Sequence, residues 1–137
     1  MYEYAVKKIV KVVDGDTVDI EIDLGFSLTK KERVRLAGID TPESRTRDLA
    51  EKELGLRAKD YLKSMLKNAD NLKVRTAKDG KYGRMLGWFY DNELSINFKM
   101  IECGHAWEYD GGTKIKNLQD LIAIQGAMNG SQEISKP

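Results

Sequence analysis

The chain has 137 residues, 41% of them hydrophobic and 33% charged, with 23 basic against 22 acidic side chains. That balance fits one ordinary globular domain with a core of its own. It excludes a bilayer-spanning helix, since no apolar run approaches ~20 residues, and an internal disulfide, since Cys103 stands alone.

The net charge of +1 also argues against a binder that relies on a strongly basic surface throughout. Residues 46–84 nevertheless hold 11 basic and 6 acidic groups, against 8 and 9 in residues 1–45 and 4 and 7 in residues 85–137. Contact with a polyanion is therefore expected to be local. Met1 to Lys8 lacks the basic head and apolar stretch of a signal peptide, so the expected location is cytoplasmic.

Along the chain, β-branched residues from Tyr4 to Val13 predict a strand, and Asp14-Gly15 a turn. Val18, Ile20 and Ile22 alternate with Asp19, Glu21 and Asp23, the period of a half-buried hairpin partner. A polar linker from Ser27 to Lys31 is expected to lead into a third strand, Arg33 to Ile39, which Pro42 ends. Leu54, Ala58, Tyr61, Leu62, Met65 and Leu66 predict a helix over about Asp48 to Asn68. Leu72 to Thr76 and Met85 to Tyr90 read as further strands joined through Asp79-Gly80 and Tyr82-Gly83. Ser95 is placed to cap a short helix through Cys103 that Gly104 stops. A third helix through Leu118, Leu121 and Ile122 is expected to end near Asn129-Gly130, closing a single domain over residues 1–130 and leaving 131–137 as a frayed tail. Five short strands with about three helices suggest an α+β fold, a closed barrel of the OB type.

Three short motifs carry the chemistry. Asp14-Gly15-Asp16-Thr17 is first of all a hairpin turn, but its second aspartate sets an anionic oxygen at the hairpin's mouth. Asp40-Thr41-Pro42-Glu43 also reads as a helix start, with Pro at the first position and the acid favoured by the dipole. Converging carboxylates repel unless a cation or proton intervenes. Asp16, Asp40 and a main-chain carbonyl such as that of Thr41 make an oxygen set suited to Ca²⁺. One histidine and one cysteine do not suit zinc. Glu43 is the candidate base for an attacking water. Arg35 and Arg84 each abut such a motif at a predicted strand end, and their planar forks match two phosphate oxygens. Tyr82, Trp107 and Tyr109 are candidate stacking faces, and Lys78 and Lys81 candidate guides for a strand. Trp88, Phe89 and Tyr90 are assigned to the core or barrel wall, His105 to no catalytic role, and Cys103 to a buried helix end.

The order of Asp14-Gly15-Asp16-Thr17, Arg35 with Asp40-Thr41-Pro42-Glu43, and Tyr82-Gly83-Arg84 resembles the staphylococcal (micrococcal) nuclease-like family, over about Val6 to Ala106. The resemblance implies a five-stranded OB-type barrel with three helices. It also implies a Ca²⁺-dependent nuclease that cuts DNA and RNA on the 5′-oxygen side and leaves 3′-phosphate ends; a monomer is the default expectation, and an open site suits single-stranded or unstacked substrate. By the same resemblance Asp16, Asp40 and the Thr41 carbonyl hold calcium, and Glu43 acts on water. Arg35 and Arg84 bind the phosphate, and Tyr82 matches a family tyrosine that contacts the nucleotide; Lys81 and Tyr109 are added as substrate contacts from the residues alone. Where the family has a tyrosine-rich segment, this chain has Trp107-Glu108-Tyr109-Asp110-Gly111-Gly112, so the stacking face is expected to be rebuilt. The alternative is a non-catalytic nucleic-acid-binding module of the same fold, which loss of the carboxylates or arginines would favour; all are present.

Overall fold

A computed structural model describes residues 2–77, 85–112 and 117–135, the side chains of 129–135 excepted. Strand β1 (Tyr2–Asp14) turns at Gly15-Asp16 into β2 (Thr17–Gly25), which turns into β3 (Leu28–Leu36). After β4 (Ile39–Asp40) come helix α1 (Leu49–Asn68), β5 (Leu72–Thr76), β6 (Met85–Asp91) and β7 (Leu94–Ser95). Helix α2 (Ile96–Glu102), β8 (Trp107–Glu108) and α3 (Leu118–Ser135) complete the chain.

The main sheet runs β3-β2-β1-β5-β6-β7, and a parallel pairing of β3 with β6 (Val34 opposite Met85, Leu36 opposite Gly87) closes its first five strands into a barrel. Closure removes the free edges that make an open sheet sticky. Val18, Ile20, Ile22, Val34, Leu36, Val74 and Phe89 fill the interior, as their period-two spacing dictates. Ala58, Leu62 and Leu66 of α1 and Ile96 and Met100 of α2 pack against the same core. This is the five-stranded barrel with three helices expected for an α+β OB-type fold. Trp88 and Tyr90 lie half-buried on either side of Phe89, in the barrel wall.

Helix α1 starts where Asp48 accepts from the Ala50 and Glu51 amides at 3.0 and 3.2 Å. The helix-start reading of Asp40-Thr41-Pro42-Glu43 is therefore not what forms, because Asp48 satisfies the first-turn amides instead. Ser95 caps α2 by accepting from Phe98 N–H, and Gly104 (φ +79) ends it, as the sequence predicts.

Two boundaries differ from expectation. Ser27 to Lys31 is not a linker: Phe26 and Ser27 form a two-residue turn at φ 54° and 64°, and β3 begins at Leu28, opposite Gly25. The expected signal for such a turn is Asn-Gly, and Phe-Ser does not supply it. Helix α3 runs to Ser135, through Asn129 and Gly130. A glycine inside a helix costs only about 1 kcal/mol, too little to end it alone.

One buried polar side chain ties these elements together. Asn97, 3% exposed, accepts from Phe89 N–H at 3.0 Å and donates to the carbonyls of Ala37 (2.8 Å) and Gly87 (3.0 Å). It thereby fixes α2 to β6 and to the chain that leaves β3 for β4. Replacing it by Ala leaves the Phe89 N–H and the Ala37 carbonyl buried without that partner, at a cost of about 2–4 kcal/mol. Urea unfolding of Asn97→Ala should show a loss in that range, and an unchanged midpoint would contradict this role.

Candidate functional site

The site begins with the β1–β2 turn. Gly15 is buried there, and a Cβ on it would lie 2.8 Å from the Ala58 Cβ and 3.1 Å from Thr41 Oγ1. Its bare backbone lets the turn press against α1 and the Thr41 segment. Asp16 follows: its carbonyl accepts from Leu36 N–H at 2.8 Å, and its Oδ1 accepts from the Thr17 hydroxyl at 3.0 Å. The turn is thus fastened to the end of β3, where Thr17 stands opposite Arg35.

Arg35 is held at both ends. Nη1 donates to the Leu36 carbonyl at 2.6 Å, while Nη2 lies 3.5 Å from Asp16 Oδ2 and 3.7 Å from Asp40 Oδ1. All three side chains are largely buried, at 11%, 15% and 5% exposure. At 3.5–3.7 Å the acids attract the guanidinium without the short 2.7–2.9 Å contacts of a charge-assisted hydrogen bond. Asp40 comes from a different element, β4, whose pairing with β8 sets it opposite Trp107. Two carboxylates from separate parts of the chain therefore meet at one guanidinium nitrogen.

Beyond Asp40, Thr41 is 2% exposed, and its Oγ1 has no hydrogen-bond partner among the described residues. Pro42 and Ser44 are buried, whereas Glu43 between them is exposed. The Glu43 amide donates to Glu51 Oε2 of α1 at 2.9 Å, so its backbone is anchored while the residue as a whole remains exposed. Helix α1 accommodates this loop only through Gly55. A Cβ there would lie 2.5 Å from the Glu43 carbonyl carbon and oxygen and 2.6 Å from Ser44 N. Neither Gly55 nor Glu51 was among the residues the motifs pointed to. A glycine on the buried face of a helix was the available signal, since nothing in the helical pattern requires it.

The remaining expected residues divide by place. Tyr109 extends from β8, its N–H donating to the Gly38 carbonyl (2.9 Å) and its hydroxyl to the Gly112 carbonyl (3.0 Å). It therefore stands beside the strand that carries Asp40. Trp107 is half-buried, with Nε1 donating to the Asn117 carbonyl at 3.1 Å. Lys78, Lys81, Tyr82 and Arg84 lie outside the described residues. His105 stacks on Tyr61 at 4.5 Å, and Cys103 is half-buried rather than buried, its sulfur 3.1 Å from the Tyr61 hydroxyl. Both line a cleft of about 500 Å³ with Arg57, Lys99 and Gln125, and none of the Asp16–Asp40–Arg35 cluster borders it.

Among the described residues no three His, Cys, Asp or Glu side chains are grouped so as to hold a metal ion by themselves. The donors that do converge are two carboxylates, with the buried Thr41 next to Asp40 in the chain. Every donor is oxygen, and the charges of Asp16, Asp40 and Arg35 sum to −1. A hard cation that takes carbonyl and water oxygens beside carboxylates fits that set without a third acid, whereas zinc does not.

Residues 33–128 match the family model for staphylococcal nuclease homologues, over two thirds of the chain. The chain belongs to this family. The matched span contains Arg35 and Asp40 to Glu43, and Asp16 lies ahead of it. Family relatives include a thermonuclease of Staphylococcus intermedius, 35% identical over 107 residues (75% of this chain, 57% of that protein). An uncharacterised protein of Bacillus anthracis is 32% identical over 101 residues (72% and 45%). Endonuclease YhcR of Bacillus subtilis is 29% identical over 126 residues (82% and 10%). The chain spans less than two thirds of the length of each of these relatives.

The close approach at Gly55 gives a direct test of how the Glu43 loop is held. Gly55→Ala should destabilise the protein, because the displaced backbone outweighs the roughly 1 kcal/mol that Ala adds to a helix. Gly126→Ala in α3, where a Cβ meets nothing within 4 Å, should instead be neutral or stabilising by up to about 1 kcal/mol. Denaturant melts of the two variants should therefore move apart, and a stabilised Gly55→Ala would show that the loop does not rest on the helix.

Proposed function

We propose that this chain is a calcium-dependent phosphodiesterase that hydrolyses DNA and RNA on the 5′-oxygen side and leaves 3′-phosphate ends. The observation that carries the reading is the meeting of Asp16 and Asp40 at the Arg35 guanidinium, in a chain of the staphylococcal nuclease homologue family. Support also comes from relatives named thermonuclease and endonuclease.

In this reading Asp16, Asp40 and the Thr41 carbonyl hold the ion. Calcium, when bound, supplies positive charge that polarises the phosphate. The chain's own residues do the rest. Glu43, exposed and three residues beyond Asp40 in the chain, accepts a proton from the attacking water. The water oxygen bonds to phosphorus, the bond to the 5′-oxygen breaks, and that oxygen leaves as a hydroxyl after taking a proton from solvent. The fragment upstream of the cut keeps the phosphate on its 3′-oxygen.

Arg35 stabilises the charge that gathers on the phosphoryl oxygens, a role worth several kcal/mol by analogy with other oxyanion donors. Its anchorage at the Leu36 carbonyl pre-positions the fork, and its loose contact with the acids lets it take up a phosphate. Arg84 is the second fork in this scheme, with Lys81, Tyr82 and Tyr109 as contacts to the nucleotide. Single-stranded or unstacked substrate suits a site whose base is exposed at the surface.

Purified protein incubated with single-stranded DNA and Ca²⁺ should yield 3′-phosphorylated fragments, and a chelator should stop the reaction. Intact DNA at high protein concentration would refute the activity. Glu43→Gln should reduce kcat by about 10²–10⁴ while changing nucleotide binding little. Equal losses in the two would remove its role toward water. Arg35→Lys should cost on the order of 10² or more in kcat if fork geometry matters beyond charge. A fully active Lys variant would reduce the residue to a simple cation.

A further inference from the structure

The β2–β3 hairpin carries features that the barrel does not need. Its turn places Phe26 at φ 54° with the side chain 100% exposed, between Leu24 (44%) and Leu28 (60%). A β-carbon in the left-handed region is disfavoured, and Asn or Gly would make the same turn with less strain and no exposed ring. Turn stability therefore does not explain the residue chosen.

Behind the tip, Lys31, Arg33 and Arg35 alternate along β3 with half-buried Glu32 and buried Val34, so they share its outer face. Across the strands, Lys8 is paired with Glu21, Lys11 with Asp19, Glu21 with Lys31 and Asp19 with Arg33. Asp19 and Glu21 thus each lie between two cations. Asp23, the third acid on this side of β2, caps the turn by accepting from Gly25 N–H at 2.8 Å. Arg33 is bound to Asp19 through Nε and Nη2 at 2.8 and 3.0 Å, yet half of its side chain remains exposed. That pairing holds the Asp19 carboxyl below its usual range. The outcome is a row of cations that starts at Lys31 and ends at the Arg35 fork in the candidate site.

We propose that this hairpin is an accessory platform for the single strand whose phosphodiester lies at Arg35. Lys31 and Arg33 contact backbone phosphates leading away from the site, and Phe26 at the tip stacks on a base. Leu28 and Arg35 are seven positions apart, about 23 Å of strand, so the stacked base lies a few nucleotides from the bond cleaved. Two observations select a nucleic-acid strand as the occupant: the cations suit a polyanion, and the row is continuous with Arg35 on one strand. Exposed aromatic side chains in such a setting accept any base, because every base has a π-face. The inference rests on the phosphodiesterase reading and assigns that site a longer substrate than a dinucleotide.

The test compares wild type with Phe26→Asn and Lys31→Glu, using dT2 and fluorescein-labelled dT12. Asn tolerates the left-handed turn, so Phe26→Asn should melt at or above the wild-type temperature. In calcium, the ratio of kcat/KM for dT12 to that for dT2 should fall about 5–20-fold in each variant. In chelator, where no cleavage occurs, anisotropy should show dT12 binding weakened by a similar factor. Lys31→Glu should also flatten the salt dependence of that binding by about one phosphate contact. An unchanged ratio together with unchanged dT12 affinity would overturn the platform. Failure of the wild type to cleave either substrate would refute the phosphodiesterase reading instead, and the anisotropy arm would still decide whether the hairpin binds the strand.

Discussion

The account depends on the Arg35 guanidinium sitting between Asp16 and Asp40. Those acids come from a hairpin turn and from a two-residue strand 24 positions later, and the backbone of each is fixed by main-chain pairing. Two largely buried carboxylates at one place would repel strongly if no cation faced them. Arg35 supplies part of the balance and, by gripping the Leu36 carbonyl, does so from a fixed position. Truncating such a buried partner typically costs 3–5 kcal/mol, because the remaining charge is stranded. The cluster is accordingly an arrangement that the fold itself holds together.

The barrel is what makes that maintenance possible. The β3–β6 pairing closes the sheet at residues 34–36, the same level at which Arg35 projects. Asn97 bonds to β6 and to Ala37, so the chain leaves the barrel toward β4 in one direction. Gly15 and Gly55 then allow α1 to lie against the Asp16 turn and the Glu43 loop at backbone distance. Helix α1 thus acts as a common backing for two motifs that are far apart in sequence, and its own start is fixed independently by Asp48.

Much of this was legible from the sequence because the deciding signals are local. Alternation marked β2, helical spacing marked α1, and the caps Ser95 and Gly104 bounded α2. The acids and Arg35 stood out because each abuts a turn or proline at a strand end. What was not legible depended on partners distant in sequence. Asn97 reads as an ordinary polar helix residue until three strand-side groups are found around it, and Gly55 reads as a weak point in a helix until Glu43 is found against it. The start of β3 was missed for a different reason, since Phe26-Ser27 adopts a left-handed turn without its usual residues. Helix α3 outlasts its expected end because Asn129-Gly130 is a weak stop when nothing else ends the helix there.

The most direct measurement is a calcium titration of the wild type and of Asp40→Asn, followed by the shift in melting temperature. A ligand that binds the folded state raises stability in proportion to RT ln(1 + [L]/Kd). The account predicts a saturable rise for the wild type and none for Asp40→Asn. A rise of the same size and midpoint in both proteins would show that the ion sits elsewhere and would contradict the site described.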